Sequence, residues 1–365
     1  MKILHIVEDF SIRSGGLRTV INSLDSHLKK LGHSSYVLSS DKEDEDDIYL
    51  IKSRNKWLYS NKWKQQIHKI VTQKEINLIH IHGVWLYPQL VGAKYATKHQ
   101  IPFILSCHGM YQPWLWKKNT FIKKAYLKLL SKRLFSKATV IHSITKEETN
   151  NLKKIFNKNR FVEIPNLISF LDRKSEDVNK ENIEKSILYL GRINKTKGID
   201  VLIEAFGNLK NKEITLKIAG GFNDYKTELE KLVNKLKLTN RVVFLGMVKG
   251  KQKEDLIRNS WIMASPTFSD VIGMVNLEAA LNKTPVITTR DTGLNKDWSS
   301  NGGILIDANV EELTIALEES LKWTFEERVN KGSLLFNFVN QHYSWESRIK
   351  DWELLYKKVV QDEIN

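Results

Sequence analysis

The sequence is poor in the features that would place a chain outside a reducing compartment or within a lipid bilayer. A single cysteine, Cys107, in 365 residues excludes an internal disulfide framework and fits a reducing compartment. No run of about 18 uninterrupted apolar residues occurs, so no transmembrane helix is expected. The opening MKILHIVEDFS holds only a five- to six-residue apolar run before Glu8 and Asp9, so it reads as a first strand and not as a secretory leader. Acidic residues are scarce in the first half: residues 1–170 carry 13 Asp/Glu against 28 Lys/Arg, whereas residues 171–365 carry 29 of each. The net charge of +15 therefore belongs to the first half. Such a surface fits a polyanionic partner, either nucleic acid or an anionic membrane.

What is present is globular. A hydrophobic content of 41% over this length favours two domains, because single cores stop growing efficiently well below it. In the first half, strand candidates at Ile3–Val7, Ser35–Ser39, Ile76–Ile81, Phe103–Ser106, Val140–Ile144 and Val162–Ile164 alternate with helical patterns near 17–31, 60–74, 89–99, 120–136 and 146–156. A second series places strands at 186–190, 215–219, 241–245, 261–264, 285–289 and 303–306. Alternation of this kind predicts two doubly wound parallel sheets of α/β type. The acidic run at 41–47 reads as a solvated loop, and the polar stretch 170–185 as a boundary region.

The second series is arranged around residues 261–287, WIMASPTFSDVIGMVNLEAALNKTPVI. An apolar strand ends in Ser265-Pro266-Thr267, a loop carries Asp270, and Gly273 opens a helix whose first residues are Met274 and Val275. Unpaired N–H groups and the positive end of the macrodipole make such a helix start a phosphate site, which Gly273 lets the ligand approach closely. Glu278, about one turn in, is placed to reach a polyol such as a ribose, and Asp270 faces the same side. At the start of the series, Leu190-Gly191-Arg192 turns into Lys197-Gly198, setting two cations at a strand's carboxyl end. In the first half, Gly15-Gly16 between the first strand and its helix is a phosphate-loop candidate or a tight turn. His108 follows a strand in Cys107-His108-Gly109-Met110. His80 and His82 share one face of a strand; with one cysteine and no third ligand at a fitting spacing, zinc is not expected there.

These motifs resemble glycosyltransferase family four, the retaining enzymes of GT-B fold. An acidic residue, seven others and a Glu (Asp270, Glu278) before Ala-Ala and Thr-Pro-Val-Ile resembles the family's donor motif, with Asp270 where Glu is usual. "Gly-Arg, four residues, Lys-Gly" matches the pair that neutralises the leaving nucleoside diphosphate. "His-Gly-Met" followed by Pro113-Trp114 is similar to a bacterial subset that builds surface polysaccharides. Glu163-Ile164-Pro165-Asn166 resembles the interdomain linker, with Leu167 in place of the usual Gly.

The resemblance implies two Rossmann-like domains facing a central cleft: an acceptor-side domain at 1–167, a nucleotide-sugar domain at 168–343, and a last helix at 344–365 crossing back. It implies donor contacts at Gly15, Gly16, Arg192, Lys197, Met247, Asp270, Gly273, Met274, Val275 and Glu278. It places His108, Asp270, Arg192 and Lys197 at the chemistry, with neither metal nor cofactor. The implied reaction moves a hexose or N-acetylhexosamine from a nucleotide-sugar, UDP taken ahead of GDP, to a lipid-linked glycan of surface-polysaccharide synthesis such as O-antigen or capsule.

Residues 114–137, WLWKKNTFIKKAYLKLLSKRLFSK, hold eight Lys/Arg and no acid. Ile122, Tyr126, Leu129 and Leu130 suit an apolar face, and each cation near anionic lipid contributes about 1 kcal/mol. Trp114, Trp116, Lys117, Lys118, Lys123 and Lys124 are therefore the expected membrane and acceptor surface, and KSRNKWLYSNKWK at 52–64 adds to the same half. A peripheral location on the cytoplasmic face of the membrane follows. Two alternatives stand beside this reading. One is a GT-B enzyme with a soluble acceptor or epimerase activity. The other is a nucleic-acid-binding protein, suggested by the sequence pI near 9.5 but lacking any recognised module, so no nucleic acid is expected as a partner.

Overall fold

A computed structural model describes residues 1–11, 16–41, 47–53, 55–117, 120–169 and 183–361. The chain divides into two compact units, Met1–Leu167 with Arg348–Asn365, and Ile168–Ser347. The expected boundary at 170–185 and the acidic run at 41–47 fall mostly on residues outside the described ones.

The first unit is a parallel sheet of β1 (Lys2–Ile6), β2 (Ser34–Ser39), β3 (Ile48–Leu50), β4 (Leu78–His82), β5 (Phe103–Ser106), β6 (Val140–Ser143) and β7 (Phe161–Glu163). Its order is β3-β2-β1-β4-β5-β6-β7. Helices α1 (Gly16–Lys30), α2 (Lys62–Lys74) and α3 (Tyr87–Lys98) connect the early strands. Between β5 and β6, α4 (Thr120–Tyr126) passes through a π-helical turn (Leu127–Ser131) into α5 (Lys132–Phe135), and α6 (Lys146–Lys153) follows β6. The near-continuous apolar strands suit a sheet covered on both faces: every residue of β4 is buried, His80 and His82 included. One core lies over Leu4, Ile6, Ile79, Ile81, Leu105 and Trp63, and a smaller one on Val7, Phe10, Ile21 and Val37. Trp63, inside the basic stretch at 52–64, is fully buried and serves the core. The sequence reading missed β3, a three-residue, half-buried edge strand that pairs Val37 with Ile48.

The second unit comprises β8 (Glu184–Leu190), α7 (Ile199–Asn208), β9 (Thr215–Ala219), α8 (Asp224–Lys235), β10 (Val242–Gly246), α9 (Gly250–Asn259), β11 (Ser260–Ser265), α10 (Met274–Leu281), β12 (Val286–Thr289), β13 (Ile304–Ile306), α11 (Val310–Lys322) and α12 (Phe325–Tyr343). All its pairings are parallel, in the order β10-β9-β8-β11-β12-β13. Helix α7 buries Ile199, Leu202, Ile203 and Phe206 on the sheet. Helix α12 starts at a capping box, in which the Thr324 hydroxyl and the Glu327 carboxylate satisfy each other's backbone N–H. It also carries the fully buried Arg328, whose guanidinium donates to the carbonyls of Trp261, Ser260, Arg258 and Lys283. Helix α13 (Trp345–Val360) ends the described chain, and no helix among the described residues is long and apolar enough to cross a membrane.

Candidate functional site

In a doubly wound sheet the ligand crevice opens at the carboxyl ends of the strands where the order reverses. In the second unit that point lies between β8 and β11, and the turns leaving these two strands are tied together. The turn after β8 has Gly198 at φ +63°, and a Cβ there would stand 2.0 Å from the Pro266 carbonyl oxygen, so only glycine fits. Phe268 N–H and the Thr267 hydroxyl both donate to Thr196 O, at 2.9 and 3.1 Å. Lys197 Nζ closes the contact by an ion pair of 2.6 Å to Asp270 Oδ2, with both side chains largely buried. Arg192 is exposed beside them, its carbonyl held by the Tyr189 hydroxyl at 2.9 Å. Burial, and next the Asp270 charge, pushes the Tyr189 phenol well up, while Arg192 opposes the shift.

Gly273 is the N-cap of α10 and supplies no side chain to its free amides. A Cβ on Gly273 would meet Asn276 Nδ2 at 2.6 Å and stand 3.4 Å from Asp270 Oδ2, so the carboxylate lies beside the helix start. Met274 and Val275 form the half-buried first turn, and Asn276 is anchored by donating to Thr288 Oγ1 at 3.2 Å. Glu278 uses Oε1 to pair with Lys253 Nζ of α9 at 3.0 Å, while its Oε2 is buried without a partner. Met247 follows Gly246 (φ +72°), which the exposed ring of Phe222 lies against, and is itself 65% exposed. Arg192, Lys197, Asp270 and Gly273 thus form one cluster. Glu278 sits further along α10 with a lysine no motif announced, since Lys253 in KQKEDL looks like any surface lysine. The arrangement can hold a dianion: two carboxylates offset Lys197 and Lys253, leaving the Arg192 charge and the helix start as the attracting pole.

The switch point of the first unit lies between β1 and β4. Gly15 is outside the described residues; Gly16 opens α1 and is exposed. Glu8, just past β1, accepts a hydrogen bond from Gln89 Nε2, and burial raises its carboxyl to about 7. His108 follows β5 at φ +51° with Gly109 at +74°, two consecutive left-handed residues that turn its ring back over the strand ends. Glu148 of α6 fixes this turn, its buried carboxylate accepting from the N–H of Gly109 at 2.6 Å and of Ile144 at 2.7 Å. Thr145-x-x-Glu148, a helix-start pattern, is the signal that could have found it.

Behind His108, itself half-buried, lie four buried histidines, His5, His80, His82 and His142. Burial lowers all of them: His108 to about 3, His5 and His142 to about 4, and His80 and His82 well below the ordinary range. Ring nitrogens of His5, His80 and His82 approach within 4.8 Å of one another, a spacing a metal ion could use. Both nitrogens of His80, however, are already engaged, by Tyr356 and Ser106.

The basic segment divides. Trp116 turns inward, donating to Tyr111 O at 3.1 Å and packing edge-on against Trp85. Lys123 donates to Leu115 O of the preceding turn at 2.6 Å and lies over the Trp85 ring. Lys118 and the side chains of Trp114 and Lys117 are outside the described residues. Lys124 is exposed; of the expected apolar face Tyr126 packs on the core, whereas Ile122 (68% exposed), Leu129 (76%) and Leu130 face out, as does Phe121 (85%).

Comparison with known proteins agrees with this geometry. The model of glycosyltransferase family 4 matches residues 14–169, and that of glycosyl transferases group 1 matches residues 172–331. An uncharacterised glycosyltransferase of Methanocaldococcus jannaschii is 28% identical over 183 residues, 49% of this chain and 46% of that protein, so the match spans about half of each. The alpha-monoglucosyldiacylglycerol synthase of Streptococcus pneumoniae is 21% identical over 323 residues, 81% of this chain and 72% of that one. Among solved structures, the Anabaena HepE protein in complex with UDP-glucose superposes with a TM-score of 0.76 at 17% identity, covering 98% of this chain and 100% of that one. With both halves matched and two Rossmann-like sheets in place, the chain belongs to glycosyltransferase family four and has the GT-B fold.

Proposed function

We propose that the protein transfers a hexose or N-acetylhexosamine, with retention at the anomeric carbon, from a nucleoside diphosphate sugar to a lipid-linked glycan. The observation that carries this is the joining of Arg192, the Lys197–Asp270 pair and the uncapped start of α10 at one switch point. The bond from the sugar's anomeric carbon to the diphosphate breaks, and Arg192, Lys197 and the amides after Gly273 take up the charge left on the phosphate oxygens. A hydroxyl oxygen of the acceptor bonds to the same carbon on the face the diphosphate leaves, and its proton passes to the departing phosphate. Glu278, with one carboxylate oxygen unpartnered, holds the ribose hydroxyls; Asp270 fixes the sugar hydroxyls; His108 is assigned to the sugar end. Met247 borders the base. UDP is placed ahead of GDP, a choice the UDP-glucose complex of the Anabaena protein supports. No metal or cofactor is assigned to the reaction.

For the acceptor side, the exposed Phe121, Ile122 and Leu129 among Lys124 and Lys128 suit an anionic membrane surface, and the glycolipid-forming relative from Streptococcus supports a lipid-borne acceptor. A surface-polysaccharide role at the cytoplasmic membrane face completes the reading. The test is thermal-shift titration with UDP, GDP, ADP and their sugars, on wild type and Glu278→Ala. A ligand at 100 times Kd adds about 2.7 kcal/mol. Stabilisation by one nucleotide family, lost in Glu278→Ala, is expected; no stabilisation by any of them overturns the reading.

A further inference from the structure

Four buried histidines of the first unit and the half-buried His108 form two separate hydrogen-bonded chains, and one can be solved atom by atom. The Ile164 carbonyl only accepts, so His142 carries its proton on Nε2, 2.8 Å away. His142 Nδ1 is then an acceptor, and the Ser106 hydroxyl donates to it at 2.8 Å. Ser106 Oγ in turn accepts from His80 Nε2–H at 2.7 Å, which leaves His80 Nδ1 to accept from the Tyr356 hydroxyl at 2.6 Å. Every ring in this chain is neutral and every ring nitrogen is used. His80 therefore has no lone pair for a metal.

The second chain lacks such an anchor. His5 Nδ1 lies 2.9 Å from His82 Nε2, and His82 Nδ1 lies 3.0 Å from His108 Nε2, with the rings stacked 5.2 Å apart at each step. At the inner end, His5 Nε2 is buried with no partner. At the outer end stands Nδ1 of the half-buried His108, held by the left-handed turn and Glu148. The three rings can be protonated in only two consistent ways. One leaves a proton stranded on His5 Nε2 and a bare nitrogen at His108; the other leaves a bare nitrogen at His5 and puts the proton on His108 Nδ1. A buried N–H with no acceptor is among the rarest features of folded proteins, so the second polarity wins.

We propose that this chain locks His108 as its Nδ1–H tautomer, presenting a neutral hydrogen-bond donor to an oxygen of the bound sugar, with His82 and His5 as positioning residues behind it. The inference rests on the assignment of His108 to the sugar end made above. Its chemical sense is that a neutral donor grips a hydroxyl or ring oxygen without setting a cation beside the carbon where positive charge develops as the glycosidic bond breaks. Burial, which holds the ring at about 3, keeps it neutral at every pH at which the protein works.

The test begins with 15N-histidine spectra of the full chain without ligand, with His108 assigned by loss of its signals in His108→Asn. A protonated Nδ1 and a bare Nε2 at His108 are expected, and the reverse pattern overturns the proposal. Kinetics supply the second arm. His82→Leu cuts the chain and is expected to lower kcat/KM for the sugar nucleotide about tenfold, the scale of one hydrogen bond. His82→Gln, whose amide can accept from His5 and donate to His108, is expected to restore most of that loss. Equal losses in both variants, at unchanged thermal midpoints, overturn the positioning role; should His82→Leu not fold, His5→Phe makes the same comparison. The tautomer is read without any nucleotide, so it stands apart from the donor-site reading, whose own failure shows as no stabilisation by any nucleoside diphosphate.

Discussion

Asp270 and Lys197 share one ion pair, so whatever binds there must divide them. In the free protein the carboxylate offsets the cation that a diphosphate would use, and an opposed charge at 2.6 Å in a largely buried site is worth on the order of 1 kcal/mol or more. Asp270→Asn is therefore expected to bind the free nucleoside diphosphate several-fold more tightly while losing about 100-fold in transfer, because the sugar loses its carboxylate. Calorimetric titration with the diphosphate beside initial-rate assays checks this, and weaker diphosphate binding would sink it. Gly198 sets a sharper test of the same turn. An added methyl would meet the Pro266 carbonyl at 2.0 Å from a left-handed backbone, so Gly198→Ala should cost about 2–3 kcal/mol and lower the thermal midpoint. At this scale the sequence motifs single out residues that the structure draws to one switch point, Lys197, Gly198, Asp270 and Gly273, with Arg192 on the same turn. The sequence was silent on Lys253, which reaches Glu278 across 25 positions where no local pattern extends, while Glu148, 39 positions from Gly109, shows in the sequence only as part of a helix start.

Helices show where periodicity is enough and where it is not. Helix α7 reads directly from Ile199, Leu202, Ile203 and Phe206, all buried where the 3.6-residue repeat puts them. The stretch 120–136 does not, because the π-helical turn at Leu127–Ser131 changes the phase: Leu129 and Leu130, which a straight helix would set with the packed Tyr126, face out, and Ile122 ahead of the turn is exposed as well. That exposed row among lysines makes the prediction for this element. Changing Phe121, Ile122 and Leu129 together to Ser should abolish co-sedimentation with vesicles containing anionic lipid and leave the thermal midpoint unmoved, since little packing is lost. A falling midpoint with unchanged sedimentation would show the row to be structural. Helix α12 offers the opposite case. Arg328, at a position that reads as a solvent-facing charge, is wholly buried and satisfies carbonyls at the start of β11 and at Lys283, while burial lowers its guanidinium to about 10. Arg328→Met strips donors from several buried carbonyls at once and is expected to cost about 3–5 kcal/mol, measured by denaturant unfolding.

For the molecule as a whole, its two units differ in how they meet acid. All five strongly shifted histidines lie in the first unit, and none in the second. Each is held below its unfolded value of 6.5, with His5 and His142 at about 4 and His108 at about 3. Between pH 6.5 and 4 the unfolded chain therefore binds more protons at these rings than the folded one, and stability falls as pH falls through that window. Glu8 works the other way: its carboxyl, raised from 4.5 to about 7, holds a proton in the folded state that the unfolded state has released, which adds stability on acidification over the same range. Glu148 is raised as well and adds to that opposition. Five rings against Glu8 leave a net uptake of roughly three to four protons on unfolding near pH 5.5, a slope on the order of 4–5 kcal/mol per pH unit. Against a stability of about 5–15 kcal/mol, that slope exhausts the first unit within a few pH units, while the second has no comparable term. Calorimetry from pH 7.5 to 5 should accordingly resolve two transitions, with the lower one sliding downward steeply and the upper one nearly fixed. Replacing His80 and His142 by Gln, which removes two of the five titrating rings, should flatten that slope by about 2–3 kcal/mol per pH unit whatever it does to the midpoint at neutral pH. An unchanged slope in the double variant would mean that the buried rings are not what makes the first unit acid-labile.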